Sequence, residues 1–286
     1  MKKSNRRKFI KLASVAVPGT FFIQSCESKN SSGTTSFSKM SDERLKLGIA
    51  SYTFREFNLS DTLRMTAQLD MKYICLKSMH LPLESTDQEI QRVKEQVEDA
   101  GIILYGAGVI YMNTSEEVEN AFRYAKAAGL ETIVGVPLYD LLDQVEEKVK
   151  ETNIQVAIHN HGPGDDVYPS PESVIEKIKS RDKRIGLCMD IGHTQRIGLD
   201  PAIEAQKYFD RLLDVHIKDV DKATPEGDTV EIGRGVIDIP RFLSVLLENK
   251  YTGVVSFEYE KDAKDPFPGL AESVGYVRGV LSMLTK

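Results

Sequence analysis

The sequence predicts an α/β fold, a single-domain (β/α)8 TIM barrel over residues 45–286, preceded by an export signal and a short linker. Two observations carry this expectation. After Leu45, short β-rich runs alternate eight times with longer amphipathic runs, and each helical crossover must return the chain to the same sheet edge, so the strands pair in parallel. All five histidines fall at or just beyond the ends of those strand-like runs, the face on which such barrels collect chemistry. An open doubly wound sheet is the competing architecture, but no G-x-G-x-x-G follows the first strand.

The first strand is expected over 46–52 (KLGIASY), followed by the helical run DTLRMTAQL. Strand 72–77 (KYICLK) leads into DQEIQRVKEQVEDAG, with Gly101 just past the helix end. Strand 102–108 (IILYGAG) precedes SEEVENAFRYAKAAG, which Gly129 closes. Strands 132–137 (TIVGVP) and 154–159 (IQVAIH) flank DLLDQVEEKVKE, and Pro171 opens the next helix, PESVIEKIKS. Strand 185–190 (IGLCMD) precedes DPAIEAQKYFDRL, and strand 213–218 (LDVHIK) precedes DIPRFLSVLLENK. Strand 253–258 (GVVSFE) and the terminal run LAESVGYVRGVLSML complete the eight units.

Composition narrows the function. The net charge is -6, and no Lys/Arg cluster occurs outside the extreme N-terminus. Binding to a phosphate backbone therefore has no electrostatic support, and nucleic acid is not an expected partner. Cys75 and Cys188 lie inside apolar strand-like runs and read as buried free thiols. Three cysteines in a chain of 286 residues make no disulfide framework.

Residues 1–26, MKKSNRRKFIKLASVAVPGTFFIQSC, combine a basic start, an apolar stretch and a small-residue ending. Arg6 and Arg7, followed by Lys8, Phe9, Ile10 and Lys11, resemble a twin-arginine export signal. IQSC resembles a bacterial lipobox, with Cys26 as the lipidated residue. Residues 27–44 are polar and Ser-rich, which suits a flexible linker. The expectation is an exported, periplasmic lipoprotein of a bacterium that meets the membrane only through an N-terminal lipid anchor. An oligomer is compatible with the sequence.

The strand ends carry the chemistry. The run VAIHNHGPGDD, residues 156–166, ends a strand on His159 and His161 and then turns through Gly162-Pro163-Gly164. Strand 72–77 ends at Lys77 with His80 beyond, and strand 185–190 ends at Asp190 with His193 beyond. Alternation puts His159 and His161 on the face of Ala157, His216 on that of Asp214 and Lys218, and Glu258 on that of Glu260. His159, Asp190, His216 and Glu258 thus converge from four neighbouring strands. Two imidazoles and two carboxylates around one point suit a divalent cation, Mn2+, Co2+ or Zn2+. Converging buried carboxylates need either a cation or a shared proton, so a polar network without metal is the weaker account.

GLCMDIGH, DVHIKD and IGRGVIDIPRFLSVLLENKYTGVVSFEYE resemble the last three strands of the sugar phosphate isomerase/epimerase family, within the xylose-isomerase-like TIM barrels. The resemblance covers essentially all of residues 45–286. It implies matching roles for Asp190, His193, His216 and Glu258. Where epimerases of that family carry a metal-binding Glu on strand five, this chain has His159, which is expected to take over the ligand position. Such epimerases use two opposed glutamates as acid and base, and here only Glu258 remains.

The expected chemistry is proton abstraction next to a carbonyl of a carbohydrate, with a metal-stabilised enediolate. Glu258, or His161 at the rim, is the candidate base, and His193 orients or protonates a substrate oxygen. Lys77, His80, Lys218, Arg234 and Glu260 are candidate substrate contacts. A sugar isomerase or epimerase is the first reading. A keto-glycoside lyase or hydratase is the alternative, and it needs only one strong base. A non-catalytic sugar-binding lipoprotein is the third.

Overall fold

The computed structural model describes residues 45–285, so the expected export signal with Cys26 and the expected linker lie outside the described residues. The expected barrel is present. The chain runs β1 (Lys46–Ala50), α1 (Leu59–Gln68), β2 (Tyr73–Leu76), α2 (Asp87–Asp99), β3 (Ile103–Met112), α3 (Ser115–Ala128), β4 (Thr132–Pro137), α4 (Leu142–Thr152) and β5 (Gln155–His159). It continues through α5 (Pro171–Ile178), β6 (Ile185–Asp190), α6 (Ile191–Arg196), α7 (Pro201–Lys207) and β7 (Leu212–Ile217). A short hairpin, β8 (Asp219–Val220) and β9 (Thr229–Val230), precedes α8 (Ile239–Glu248), β10 (Val254–Phe257) and α9 (Phe267–Leu284). The barrel closes in the order β1-β10-β7-β6-β5-β4-β3-β2, parallel throughout.

Local sequence explains the helix boundaries. Thr86 and Thr114 form reciprocal caps with Glu89 and Glu117, which satisfies first-turn N–H groups that have no helical partner. Gly129 ends α3 at φ 68°, a left-handed conformation that costs a glycine little. The helices bury their apolar stripes on the outer faces of the strands: Ile90 and Val97 of α2, Phe242 and Leu246 of α8, and Val274 and Val277 of α9 all belong to this layer. Each such side chain contributes about 1.5–3 kcal/mol relative to exposure. The lumen holds a smaller cluster of Cys75, Tyr105, Val134, Ala157, Cys188 and Val254, so both expected buried thiols are found free and buried.

Three features depart from the sequence pattern. β3 runs on to Met112 through a register shift between Ala107 and Ile110, which re-aims Tyr111. The strand-six to strand-seven connection holds the extra helix α6, whose six residues are too short to show a periodicity. The β8–β9 hairpin has two residues per strand, again too few. It sits beside a loop that the Asp219 carboxylate pins by accepting from the N–H groups of Gly233, Gly235 and Ile237. A Cβ at Gly235 would stand 2.1 Å from Asp219 Oδ1, so only glycine lets the loop close on this carboxylate.

Candidate metal centre

β5, β6, β7 and β10 are consecutive in the barrel, and their C-terminal ends bring the expected four residues together. Asp190 and His216 pair directly across β6 and β7, and His159 pairs with Cys188, two residues before Asp190. Glu258 follows β10, two residues beyond Ser256, the partner of His216. One ligand atom from each of His159, Asp190, His216 and Glu258 lies within 4.8 Å of the others. These residues are 2%, 0%, 0% and 6% exposed, so the group is shielded from water.

Asp190 shows how the backbone prepares the site. Its Oδ1 caps α6 by accepting from the N–H of His193 at 2.8 Å, which fixes the carboxylate and turns Oδ2 toward the cluster. Asn160 holds the same strand end from β5: its Oδ1 accepts from Asp190 N at 3.1 Å and its Nδ2 donates to Thr194 Oγ1 at 3.3 Å. Lys218 reaches the middle of the group. Its Nζ lies 2.8 Å from Asp190 Oδ2 and 2.8 Å from Glu258 Oε2, and it also donates to Glu260 Oε1. A Cβ at Gly192 would come within 2.5 Å of Lys218 Cγ, so the glycine at the start of α6 leaves room for the lysine stem.

The electrostatics favour a bound cation. Burial pushes the His159 imidazole down to about 3, so it is neutral and offers a lone pair. Burial also opposes charge on His216, but Glu258 outweighs it and raises that imidazole. Against burial, Lys218 and His216 hold Glu258 well below the usual carboxylate range, and His193 and Lys218 do the same for Asp190. Asp190 and Glu258 therefore share the Lys218 ammonium in a dry pocket, and Glu260, a third exposed, reaches the same ammonium from the rim. Both nitrogens of His159 and of His216, and Oδ2 of Asp190, make no hydrogen bond of good geometry. Buried polar atoms left so are costly unless a ligand completes them, and mixed imidazole and carboxylate donors are what Zn2+, Mn2+ or Co2+ take. The residues present fit a divalent cation.

A second group flanks the first. His161 Nε2 lies 3.0 Å from Tyr111 Oη, and the two rings stack with centroids 5.7 Å apart. His161 Nδ1 lies 3.4 Å from Asp165 Oδ2. The Gly162-Pro163-Gly164 turn builds this arrangement, with Gly162 at φ 121° and Gly164 at φ 88°. Asp165 Oδ1 then accepts from the N–H groups of Val167 and Tyr168 at 2.9 and 2.6 Å, which aims its other oxygen at the imidazole. Burial lowers His161 as well, so it too is neutral.

The sequence matches the family described as xylose isomerase-like TIM barrel over residues 58–280. The chain belongs to that family. Rhizopine catabolism protein MocC of Rhizobium meliloti is 28% identical over 151 residues, which cover 47% of this chain and 46% of MocC. An inosose dehydratase of Clostridium tetani is 28% identical over 138 residues, which cover 42% of this chain and 45% of that enzyme. The chain thus spans about half the length of these curated relatives. Among solved structures, a Parabacteroides distasonis protein superposes with a TM-score of 0.66 at 28% identity, over 82% of this chain and 99% of its own. The IolI protein with a bound zinc atom superposes with a TM-score of 0.71 at 19% identity, over 84% of this chain and 99% of its own, a likeness of fold.

Within this xylose isomerase-like barrel, most of the expected site residues sit where the strand ends place them. His193 lies beside the cluster, its Nε2 3.9 Å from Asp190 Oδ2. Lys77 stands at the mouth with its ammonium 5.2 Å from the centre of the Tyr52 ring. Two expectations need correction. His80 is not a substrate contact: its Nδ1 faces Ser51 Oγ at 2.9 Å and its Nε2 faces Thr62 Oγ1 at 3.0 Å and Phe57 O at 3.1 Å, so the ring ties β1 and α1 together. Arg234 is not one either, because its guanidinium forms a two-bond ion pair with Glu272 of α9 at 2.6 and 2.8 Å on the exposed surface. The pair takes Nε and Nη2 and leaves Nη1 free, so what removes Arg234 from the site is its place on the exposed surface against α9. Tyr111, Asp165, Asn160 and Tyr52 were not legible as site residues. Asp165, four residues after His161 and just past a Gly-Pro-Gly turn, was the one with a visible signal.

Proposed function

We propose that the protein is a divalent-metal-dependent carbon-oxygen lyase of keto-sugars or keto-cyclitols. It removes the proton next to a carbonyl and expels the oxygen on the following carbon. One observation carries the reading: two imidazoles and two carboxylates converge at the barrel mouth around a buried ammonium, with a neutral imidazole beside them. His159, Asp190, His216 and Glu258 would hold the cation, which when bound stabilises negative charge on the substrate's carbonyl oxygen.

The chain's own residues supply the proton transfers. Glu258 is held anionic by Lys218 and His216, which makes it a weak proton acceptor. His161 is neutral, faces the mouth and has its orientation set by Asp165 and Tyr111, so it is the better base. As His161 takes the proton from carbon, that electron pair forms the new double bond and the neighbouring carbon-oxygen bond breaks. The departing oxygen takes a proton from the Lys218 ammonium, with the neutral His193 hydrogen-bonding it, and leaves as water, or as an alcohol when the substrate is a glycoside. The name shared by several curated relatives, inosose dehydratase, supports elimination from a keto-cyclitol, within the limit of their half-length matches.

A second reading, sugar isomerase or epimerase, is favoured by the presence of both Glu258 and His161, since two proton-transfer groups can serve two faces of one carbon. Metal-loaded protein offered keto-cyclitols and keto-glycosides separates the two. Elimination gives an unsaturated ketone that absorbs in the ultraviolet, with release of water or alcohol, and His161→Gln abolishes it while metal stays bound. Interconversion of two epimers with solvent deuterium in both would replace the lyase reading by the second. Unchanged substrates after metal loading would leave a sugar-binding protein.

A further inference from the structure

Below the metal centre lies a charged group that the proposed reaction does not use. Asp214 sits on β7 two residues before His216, on the same face, and is 1% exposed. A buried carboxylate costs several kcal/mol unless its oxygens are engaged. Oδ1 accepts from Tyr105 Oη at 3.1 Å, and that hydroxyl also bonds Ser256 Oγ at 2.6 Å. Oδ2 accepts from Cys188 Sγ at 3.2 Å and stands 3.7 Å from His216 Nε2. The other nitrogen of that ring, Nδ1, points into the cluster, 3.2 Å from Glu258 Oε2.

The imidazole is therefore strung between two carboxylates, one in the metal set and one outside it. When Nδ1 gives its lone pair to a cation, Nε2 must carry the proton. That N–H is buried, and leaving it without an acceptor would cost about 1–3 kcal/mol. Asp214 Oδ2 is the carboxylate oxygen on that side, 3.7 Å away. Metal-bound histidines in general hand their second N–H to a carboxylate or carbonyl, which fixes tautomer and ring orientation. We propose that Asp214 is a positioning residue for the metal centre, its Oδ2 accepting the Nε2–H of His216 so that Nδ1 faces the cation. The same carboxylate holds the Cys188 proton, which keeps a thiol that lies within 4.8 Å of His159 and His216 out of the ligand set.

This inference rests on the metal reading, and its test separates the two. The metal-free full chain is titrated with Co2+ alone, followed by visible absorption and by calorimetry, for wild type, Asp214→Asn, Asp214→Leu and Tyr105→Phe. The expected result is a loss of about 10- to 100-fold in Co2+ affinity for Asp214→Leu, with a shifted absorption band. Asp214→Asn keeps an amide oxygen as acceptor and should recover part of the affinity. Tyr105→Phe, which removes the bonds to Ser256 and to the far oxygen of Asp214 but leaves Oδ2 in place, should bind close to wild type. The melting temperature of the metal-free protein should change little in Asp214→Asn. Wild-type affinity in both Asp214 variants would overturn the positioning role while leaving the metal reading intact. An equal loss in Tyr105→Phe would also overturn it, by showing a general disturbance of the lumen. Failure of the wild type to bind Co2+ would remove the metal reading and this inference together.

Discussion

The mouth and the floor of the barrel are built from the same strands at positions two residues apart, yet they behave oppositely. On β5 the pair is Ala157 below and His159 above, and on β6 it is Cys188 and Asp190. On β7 it is Asp214 and His216, and at β10 it is Ser256 and Glu258. In the lower layer the polar atoms answer one another: Tyr105 Oη bonds both Asp214 and Ser256, and Cys188 Sγ bonds Asp214. In the upper layer the ring nitrogens of His159 and His216 and Asp190 Oδ2 lack hydrogen bonds, although they are equally buried. Burial alone does not separate structure from function here. Along the barrel axis hydrogen-bond satisfaction does, because an unsatisfied buried donor or acceptor is costly unless a ligand completes it.

The largest effect should come from breaking the upper layer. Asp190→Ala removes a ligand and the cap of α6 together, and should reduce bound metal to background and activity by about 1000-fold. Metal at about 100 times its dissociation constant stabilises the wild type by about 2.7 kcal/mol, so the variant should lose the metal-dependent rise in Tm. Metal analysis and paired melts with and without chelator check this. Full metal occupancy in Asp190→Ala would erase the distinction between the layers.

The lower layer should respond differently. Val134→Ala empties part of the lumen and should cost about 2 kcal/mol, seen as an equal fall in Tm with and without metal, while metal content stays at the wild-type level. A loss of metal in this variant would mean that the packing of the floor, and not only the Asp214 carboxylate, sets the geometry of the mouth.

The smallest effect tests whether satisfaction is the right criterion away from the barrel axis. Glu231 is about as buried as Glu258, but it accepts from Lys261 Nζ at 2.7 and 3.0 Å and from Tyr259 Oη at 3.1 Å. Lys261 holds it down to about 2, against an ordinary glutamate value of about 4.3. A carboxyl depressed in the folded state stabilises above its unfolded pKa, and that contribution is lost as pH falls from about 4.3 toward about 2. Glu231→Gln should therefore lower Tm by about 2 °C or less at neutral pH, with the gap to wild type closing across that acid window. Metal content should be unchanged, and a change would show that a satisfied carboxylate also belongs to the site.

Much of this was legible in one dimension. Alternation of β-rich and amphipathic runs determined the barrel, because period-2 and period-3.6 patterns follow from local backbone geometry. The same parity determined that His159, Asp190, His216 and Glu258 share one end and one face, since parallel strands with helical crossovers send all their C-terminal ends the same way. Only the tertiary structure decided which strand-end polar residues are free to act. His80 and Arg234 have the right chemistry at the right end, but Ser51, Thr62 and Glu272 engage them, and those partners lie 29, 18 and 38 residues away in sequence. Tyr111 entered the site through a register shift that no periodicity announces, and Asp165 through a turn whose direction depends on where Tyr168 docks. Hydrogen-bond satisfaction is a property of pairs, and the members of these pairs meet only when the chain has closed.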